Sequence, residues 1–373
     1  MPAFTRIARY LPGLGILLVV IAGCGGGGGS SSSSSTNTGS TSGGSTNSAA
    51  NSFYIALDND GFLPPSPSNL LQLPRSGSGT VSPTANVTGP ADVIFGALAV
   101  DSTGNVFVAG QTFSGDASTG SEVLVYAPGA TGKATPARTI SGAALQTLPV
   151  QAIAGMDVDA AGNLYVATPV AVGSGASGIL YTGIVVYPPT ANGAAAPTKT
   201  IAGANTQISS GGQIAVDAAN NVYIPVGNTL VADSILMFNA SATGNVAPTA
   251  VLGGARTTIY YARGVAVDTT GNLYVASLAY NPDTTGGAFN GTPSILEFSA
   301  GSNGNVAPTR IISGTATGLG LFTSLRVDSA GNIYVNNAGT ILKFAPTASG
   351  NVAPLASITS NVLGSSSGGI AVQ

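Results

Sequence analysis

The chain has 373 residues and a net charge of −3, and Lys, Arg, Asp and Glu make up only 7 % of it, where about a quarter is usual. Its 44 % of hydrophobic residues can bury a core, which excludes a solvated disordered chain, and its slight acidity excludes the basic face that nucleic acid requires. Histidine and tryptophan are absent and Cys24 is the single cysteine, which removes imidazole bases, Ser-His-Asp triads, imidazole or thiolate metal clusters and intramolecular disulfides.

Residues 1–23 read as an export leader. Arg6 and Arg9 precede an apolar run from Tyr10 to Ala22, which at about 13 residues is short of the roughly 20 that a membrane-spanning helix needs. The string Ile21-Ala22-Gly23-Cys24 resembles the lipobox of bacterial lipoproteins. The resemblance implies cleavage before Cys24, lipid on its thiol and amino group, and a membrane partner through that lipid. It implies export to the bacterial cell envelope, and Gly25 in place of an aspartate is consistent with the outer membrane of a Gram-negative cell. Residues 24–51 carry the lipidated cysteine into a Gly/Ser/Thr tract without charge, a flexible linker with a root-mean-square reach of about 30 Å.

From 52 to 373 the sequence repeats. A 21-residue unit recurs six times, starting at Asn69, Glu122, Gly183, Ser234, Ser294 and Thr340. Each copy opens on an apolar strand-like run and turns at its eleventh residue, a glycine (Gly79, Gly132, Gly193, Gly244, Gly304, Gly350). A proline at the fifteenth suits the start of an outermost strand. A second unit precedes five of these copies, as in "VAVDTTGNLYV" from Val265, and its Asp-x-x-Gly-Asn between two β-rich runs predicts a hairpin. Each repeat of roughly 51–60 residues therefore predicts four strands, A to D. The sixth A–B unit is divided between the ends of the chain: "SFYI" from Ser52 matches "NVYI" from Asn221, and "IAVQ" from Ile370 matches "IAVD" from Ile214. The expected fold over 52–373 is all-β, a six-bladed β-propeller of four antiparallel strands per blade, closed by pairing of the N- and C-terminal strands in one split blade.

The string "GVAVDTTGNLYVAS" (264–277) resembles the NHL-repeat propellers, and the resemblance covers 52–373 repeat by repeat. It implies the fold. It leaves function open, because such propellers include peptide and RNA binders, sensor domains and some enzymes, and this chain departs from many of them in its lack of charge.

The A–B and C–D turns are stereotyped, whereas the B–C connections run from "NNAG" (336–339) to "SLAYNPDTTGGAFNGTP" (277–293) and "TPVAVGSGASGILYTG" (168–183). The variable end is therefore the expected recognition surface. It carries Phe113, Tyr181, Tyr260, Tyr261, Tyr280, Phe289 and Phe322, rings suited to stacking on sugars or to an adaptable protein contact. For any single ring, packing onto the blade tops is the alternative.

Asp101, Asp159, Asp217, Asp268 and Asp328 share one hairpin context and read as turn formers. Asp157 and Arg326 stand apart, since the equivalent position is Ala99, Ala215, Ala266 and Ala371 elsewhere. Three blades apart on strands lining the channel, they either orient a polar ligand or face channel water. The pair Asp58 and Asp60 lacks the further acidic ligands of a calcium loop. Gluconolactonase-like propellers hold a metal with Glu, Asn and Asp near the axis, a set without a match here, so no cofactor or metal is expected. The expected function is a lipid-anchored, non-catalytic recognition scaffold for a glycan or an envelope protein. A cation-dependent propeller hydrolase or lyase and a purely structural envelope protein are the alternatives.

Overall fold

Near-continuous apolar runs, such as Leu273–Ser277 with all five residues buried, become strands whose two faces both pack against neighbours, and six such sheets form the molecule. The computed structural model describes residues 52–57, 67–145, 153–172, 179–209, 211–227, 233–278, 292–320, 322–363 and 367–372. All belong to one unit, Thr46–Gln373. Blade 1 holds β1 (Ser52–Leu57), β2 (Asn69–Pro74) and β4 (Ala85–Thr88), with the short β3 (Gly79–Thr80) in its C–D turn. Blade 2 is β5 (Val93–Val100), β6 (Val106–Ser114), β7 (Ala117–Tyr126) and β8 (Arg138–Ile140). Blade 3 is β9 (Gly155–Val158), β10 (Leu164–Val172), β11 (Ile179–Tyr187) and β12 (Lys199–Ile201). Blade 4 is β13 (Ala215–Val216), β14 (Val222–Val226), β15 (Ser234–Phe238) and β16 (Ala250–Gly253). Blade 5 is β17 (Ala262–Val267), β18 (Leu273–Ser277), β19 (Ser294–Phe298) and β20 (Arg310–Ser313). Blade 6 is β21 (Phe322–Val327), β22 (Ile333–Asn337), β23 (Thr340–Phe344) and β24 (Ala356–Thr359), and β25 (Ser367–Val372) returns to blade 1.

Blade 1 has the order β25-β1-β2-β4, so the last strand of the chain is its innermost and the first strand is its second. The antiparallel register sets Phe53 opposite Val372, Tyr54 opposite Ala371 and Ile55 opposite Ile370. The divided repeat thus closes the ring as expected. Outside that ladder, Asn336 Nδ2 donates to Gly368 O at 3.0 Å and Arg75 Nη1 lies 3.5 Å from Asp328 Oδ2.

The core lies between blades. Each of six apolar clusters joins one blade to the next: Phe53, Ile55, Leu71 and Ile370 of blade 1 meet Tyr334, Ile341 and Ile358 of blade 6, and the other five pairs repeat the pattern. A blade alone would leave both its faces wet, so no blade is stable without its neighbours.

The glycine at the eleventh position of each unit has a role beyond the turn. Gly132, Gly193, Gly244, Gly304 and Gly350 each form a parallel bridge to the outermost strand of the preceding blade, at Val87, Ile140, Ile201, Leu252 and Ile312. Gly79 does the same to Ile358, completing the circle. At Gly304 the φ of +72° is a left-handed value that side-chain-bearing residues rarely adopt, and its amide donates to Val251 O at 2.8 Å. Each outermost strand begins two residues after the repeat proline, as Arg310 follows Pro308, so the unit clasps its predecessor before starting its own edge strand.

The connection read as a long loop at 168–183 is instead mostly hairpin, because β10 extends to Val172 and β11 starts at Ile179. β-Branched Val170 and Val172 continue the strand, and Pro169 is accommodated in it opposite Thr182. In blade 2, β6 and β7 likewise run on to a tight turn at Gly115, whose φ is +59°.

Candidate functional site

At the variable end the two long hairpins stand on adjacent blades. β6–β7 and β10–β11 have strands of nine or ten residues, where β14, β15, β18, β19, β22 and β23 have five. Phe113 sits on the first arm opposite Ser118, and Tyr181 on the second opposite Val170; both rings are half-buried. Polar pairs lace the first arm, Gln111 Nε2 donating to Ser118 Oγ at 3.0 Å and Thr119 Oγ1 to Thr112 Oγ1 at 2.9 Å.

Tyr260 and Tyr261 occupy the connection from β16 to β17 and are also half-buried. Ser277 clamps Tyr260 by taking its N–H and donating to its carbonyl, both at 3.0 Å. Tyr261 has a left-handed φ of +48°, and the Arg263 guanidinium lies 4.4 Å from its ring centroid. The strained turn is held by Asp233, a buried residue preceding β15 whose carboxylate accepts the Ala262 N–H at 2.8 Å and the Tyr261 backbone N–H. Burial pushes its carboxyl up, against those hydrogen bonds and the charge of Arg263. Phe322, grouped by sequence with the exposed rings, is only 2 % exposed and belongs to the core between blades 5 and 6, because its position on β21 faces that interface. Tyr280, Phe289, Cys24 and the Asp58–Asp60 pair lie outside the described residues.

At the opposite end the five repeated aspartates cap their own hairpins. Asp268 Oδ1 accepts the backbone N–H groups of Thr270 and Asn272, both at 2.9 Å, and Oδ2 accepts Asn272 Nδ2 at 3.0 Å; the other four repeat this arrangement. Burial works to raise the Asp268 pKa, but the hydrogen bonds from Thr270 and Asn272 outweigh it and hold the carboxyl below its ordinary value. A lowered folded-state pKa stabilises the fold above the unfolded value and ceases to do so as pH falls through the folded one. Asp268→Asn is accordingly expected to cost about 1 kcal/mol at neutral pH, and the difference from the parent should close below about pH 4. Urea denaturation at pH 7 and pH 3 reads this directly, and a pH-independent difference would show that the charge is not its source.

The residues before those aspartates form a cup on the axis. Val100, Val158, Val216, Val267, Val327 and Val372, one from each blade and all half-buried, ring a cavity of about 220 Å³. One step deeper, Asp157 and Arg326 join the lining alongside Ala215, Ala266 and Ala371. Asp157 accepts the N–H of Val158 at 3.0 Å through Oδ1 and that of Val216 at 2.8 Å through Oδ2, tying blade 3 to blade 4. Arg326 reaches across the axis, its Nη2 donating to Leu98 O and Met156 O, each at 3.1 Å. Both charged heads face the cup yet are enclosed by the ring around them. Burial pushes the Asp157 carboxyl up, opposed by the nearby Arg326 charge, and burial lowers the Arg326 pKa, opposed by Asp157.

A second contact across the axis comes from Gln213, a residue that the sequence did not single out. Gln213 Nε2 donates to Leu325 O at 2.7 Å and its Oε1 accepts the Leu325 N–H at 3.0 Å. An innermost strand has an unpaired edge toward the axis, and the side-chain amide does there what a neighbouring strand would do. The aligned position is Ala97, Gly155, Gly264, Ser324 and Gly369 in the other blades, so a single long polar residue among small ones was the available signal. A Cβ at Gly264 would lie 2.6 Å from Gln213 Oε1, so that glycine is what admits the amide.

Among the described residues no group of three His, Cys, Asp or Glu side chains could hold a metal ion, and no helix is long and apolar enough to cross a membrane. Fold and inner-strand geometry define the class: a six-bladed, four-stranded-per-blade β-propeller with a closed ring. No family model matches the chain, and no curated protein does. Among solved structures it is similar to a protein of unknown function from Bacteroides caccae, at 10 % identity and a TM-score of 0.50, over 86 % of this chain and 98 % of that one. It is also similar to the WD40 β-propeller domain of Doa1, at 12 % identity and a TM-score of 0.46, over 83 % of this chain and 84 % of that one. At such identities the first likeness speaks to the fold alone.

Proposed function

We propose that the protein is a lipid-anchored recognition scaffold of the bacterial cell envelope, non-catalytic, tethered through Cys24 and offering its variable B–C and D–A end to a glycan or an envelope protein. The observation that carries this reading is the inequality of the two ends of the ring. The A–B hairpins are near copies, while the B–C hairpins of blades 2 and 3 are drawn out into arms and blade 5 holds a strained Tyr260–Tyr261 turn in place with Asp233. Folding alone requires the first kind of end, and recognition is what differentiates the second. The lipobox-like string and the NHL-like repeats support the address and the class. Because β1 enters the fold at the A–B end, the arms would point away from the membrane.

The test uses the full lipidated chain on a glycan array and in pull-downs with purified envelope proteins, beside a variant with Phe113, Tyr181, Tyr260 and Tyr261 replaced by alanine. A saturable ligand whose affinity falls at least about tenfold in the variant is expected. Equal binding by the two proteins would remove the variable end from the function. Cys24→Ser should move the protein out of the membrane fraction, and retention there would remove the anchor.

A further inference from the structure

The seams between blades repeat, which makes an irregular seam visible. Tyr165, Tyr223, Tyr274 and Tyr334, on the second strands of blades 3 to 6, each place a hydroxyl between 3.1 and 3.4 Å from the aspartate of their own hairpin. The residue that shares their apolar cluster from the end of the following blade's third strand is Phe238, Phe298, Phe344 and Leu73 in turn. Blade 1 meets blade 2 differently. Tyr54 of β1 holds the same position as those four tyrosines, but the residue aligned with the hairpin aspartate is Gln373. Tyr126 of β7 stands where those four seams have phenylalanine or leucine.

Two hydroxyls are thus brought to one seam without a carboxylate to receive either. Tyr54 is 4 % exposed and Tyr126 1 %, and neither hydroxyl has a hydrogen-bond partner among the described residues. Both line one cavity of about 10 Å³, together with Gln72 and with Ala127, Gly129 and Ala130 of the turn after β7. One water molecule needs roughly 10–15 Å³ and about two to four polar partners. The volume and the two phenols meet that need, and Gln72, whose Nε2 donates to Ser52 Oγ at 2.8 Å, adds a third polar side chain to the lining. Burial, with the Glu122 charge acting in the same direction, pushes the Tyr126 hydroxyl up to about 12, and burial raises that of Tyr54 as well. Each therefore stays protonated at neutral pH, able to donate one hydrogen bond and accept two. The next seam shows that the pairing of hydroxyls sets this one apart: Tyr187 also lacks a partner, but it shares its cluster with Phe107.

We infer that the cavity between blades 1 and 2 is a binding site for one structural water molecule, which bridges the Tyr54 and Tyr126 hydroxyls and keys the split blade to its neighbour. The water does in this seam what the hairpin aspartate does in four others, giving a buried hydroxyl its partner. The small volume excludes a larger ligand, and the uncharged lining offers nothing to an ion.

The test reads stability and solvent relaxation on the full chain. With a bridging water, Tyr54→Phe and Tyr126→Phe each deprive the remaining hydroxyl of its partner, and each should raise the unfolding constant in urea about tenfold. The double variant has no hydroxyl left to satisfy, so it should be no less stable than either single variant. Oxygen-17 relaxation dispersion should count at least one long-lived water in the parent and one fewer in the double variant. The proposal is overturned by single variants as stable as the parent or more so, since hydroxyls without a water gain from removal. It is equally overturned by penalties that simply add in the double variant, by a parent without a long-lived water, or by a count that the double variant leaves unchanged. The parent count needs no variant to fold. None of these residues belongs to the variable end, so each outcome leaves the reading above untouched.

Discussion

Deletion of residues 368–373 is expected to lower the melting temperature by about 10 °C or more and to broaden the transition. Those residues supply β25, the innermost strand of blade 1, which pairs with β1 from Phe53 to Leu57 and buries Ile370 and Ala371 completely. Losing about four ladder hydrogen bonds removes roughly 2–6 kcal/mol, and exposing Ile370 with its neighbours removes about 2–4 more. That total is a large part of the 5–15 kcal/mol typical of a folded protein. The clasp of Gly79 on Ile358 and the Arg75–Asp328 contact survive the deletion, so blade 1 should stay attached but loosened. Circular dichroism melts of the full and shortened chains make the comparison. An unchanged midpoint would mean that the ring does not depend on the pairing of its two ends.

Gln213→Ala is expected to cost about 2–5 kcal/mol. Leu325 is fully buried, and its N–H and C=O face the axis rather than β22, where only the Gln213 side chain meets them at bonding distance on both atoms. Removing the amide orphans a buried donor and weakens the support of a buried acceptor. Gln213→Met separates this loss from simple cavity formation, because it keeps the volume and omits the hydrogen bonds. Urea unfolding of the two variants should show both destabilised, and a Met variant as stable as the parent would show that the cross-axis bonds contribute nothing net.

The blade count, the split blade and the turn role of the repeated aspartates were legible because they recur: six aligned copies make each deviation visible, and β1 and β25 each carry half of a string found whole elsewhere. Tertiary detail was less legible. The glycines at 79, 132, 193, 244, 304 and 350 read as turn formers, but their bridges to the preceding blade depend on which strands the ring brings side by side. The stretch 168–183 read as a loop since Gly and Ser break its apolar pattern, yet its two flanks pair as strands. Phe322 read as a surface ring for want of a facing direction, which is set by the register of β21 on β22. Asp157 and Arg326 were found by their departure from alanine, and Gln213 departs just as plainly from glycine and alanine two positions upstream of Ala215. It was missed because a neutral amide carries no charge to draw attention to it.

The position of β1 has a mechanical consequence. Any pull on the chain that precedes Ser52 enters the fold along the axis of a strand hydrogen-bonded on both sides, to β25 and to β2. A terminus on an outer strand would peel away one rung at a time under tension, each rung failing alone at a small force. β1 has to slide past two neighbours together, so its rungs share the load and fail together, and a shift of one residue also drives Phe53 and Ile55 out of their buried seats. Because β1 lies between two paired strands, a pull from the preceding chain enters where the ring best resists being drawn open.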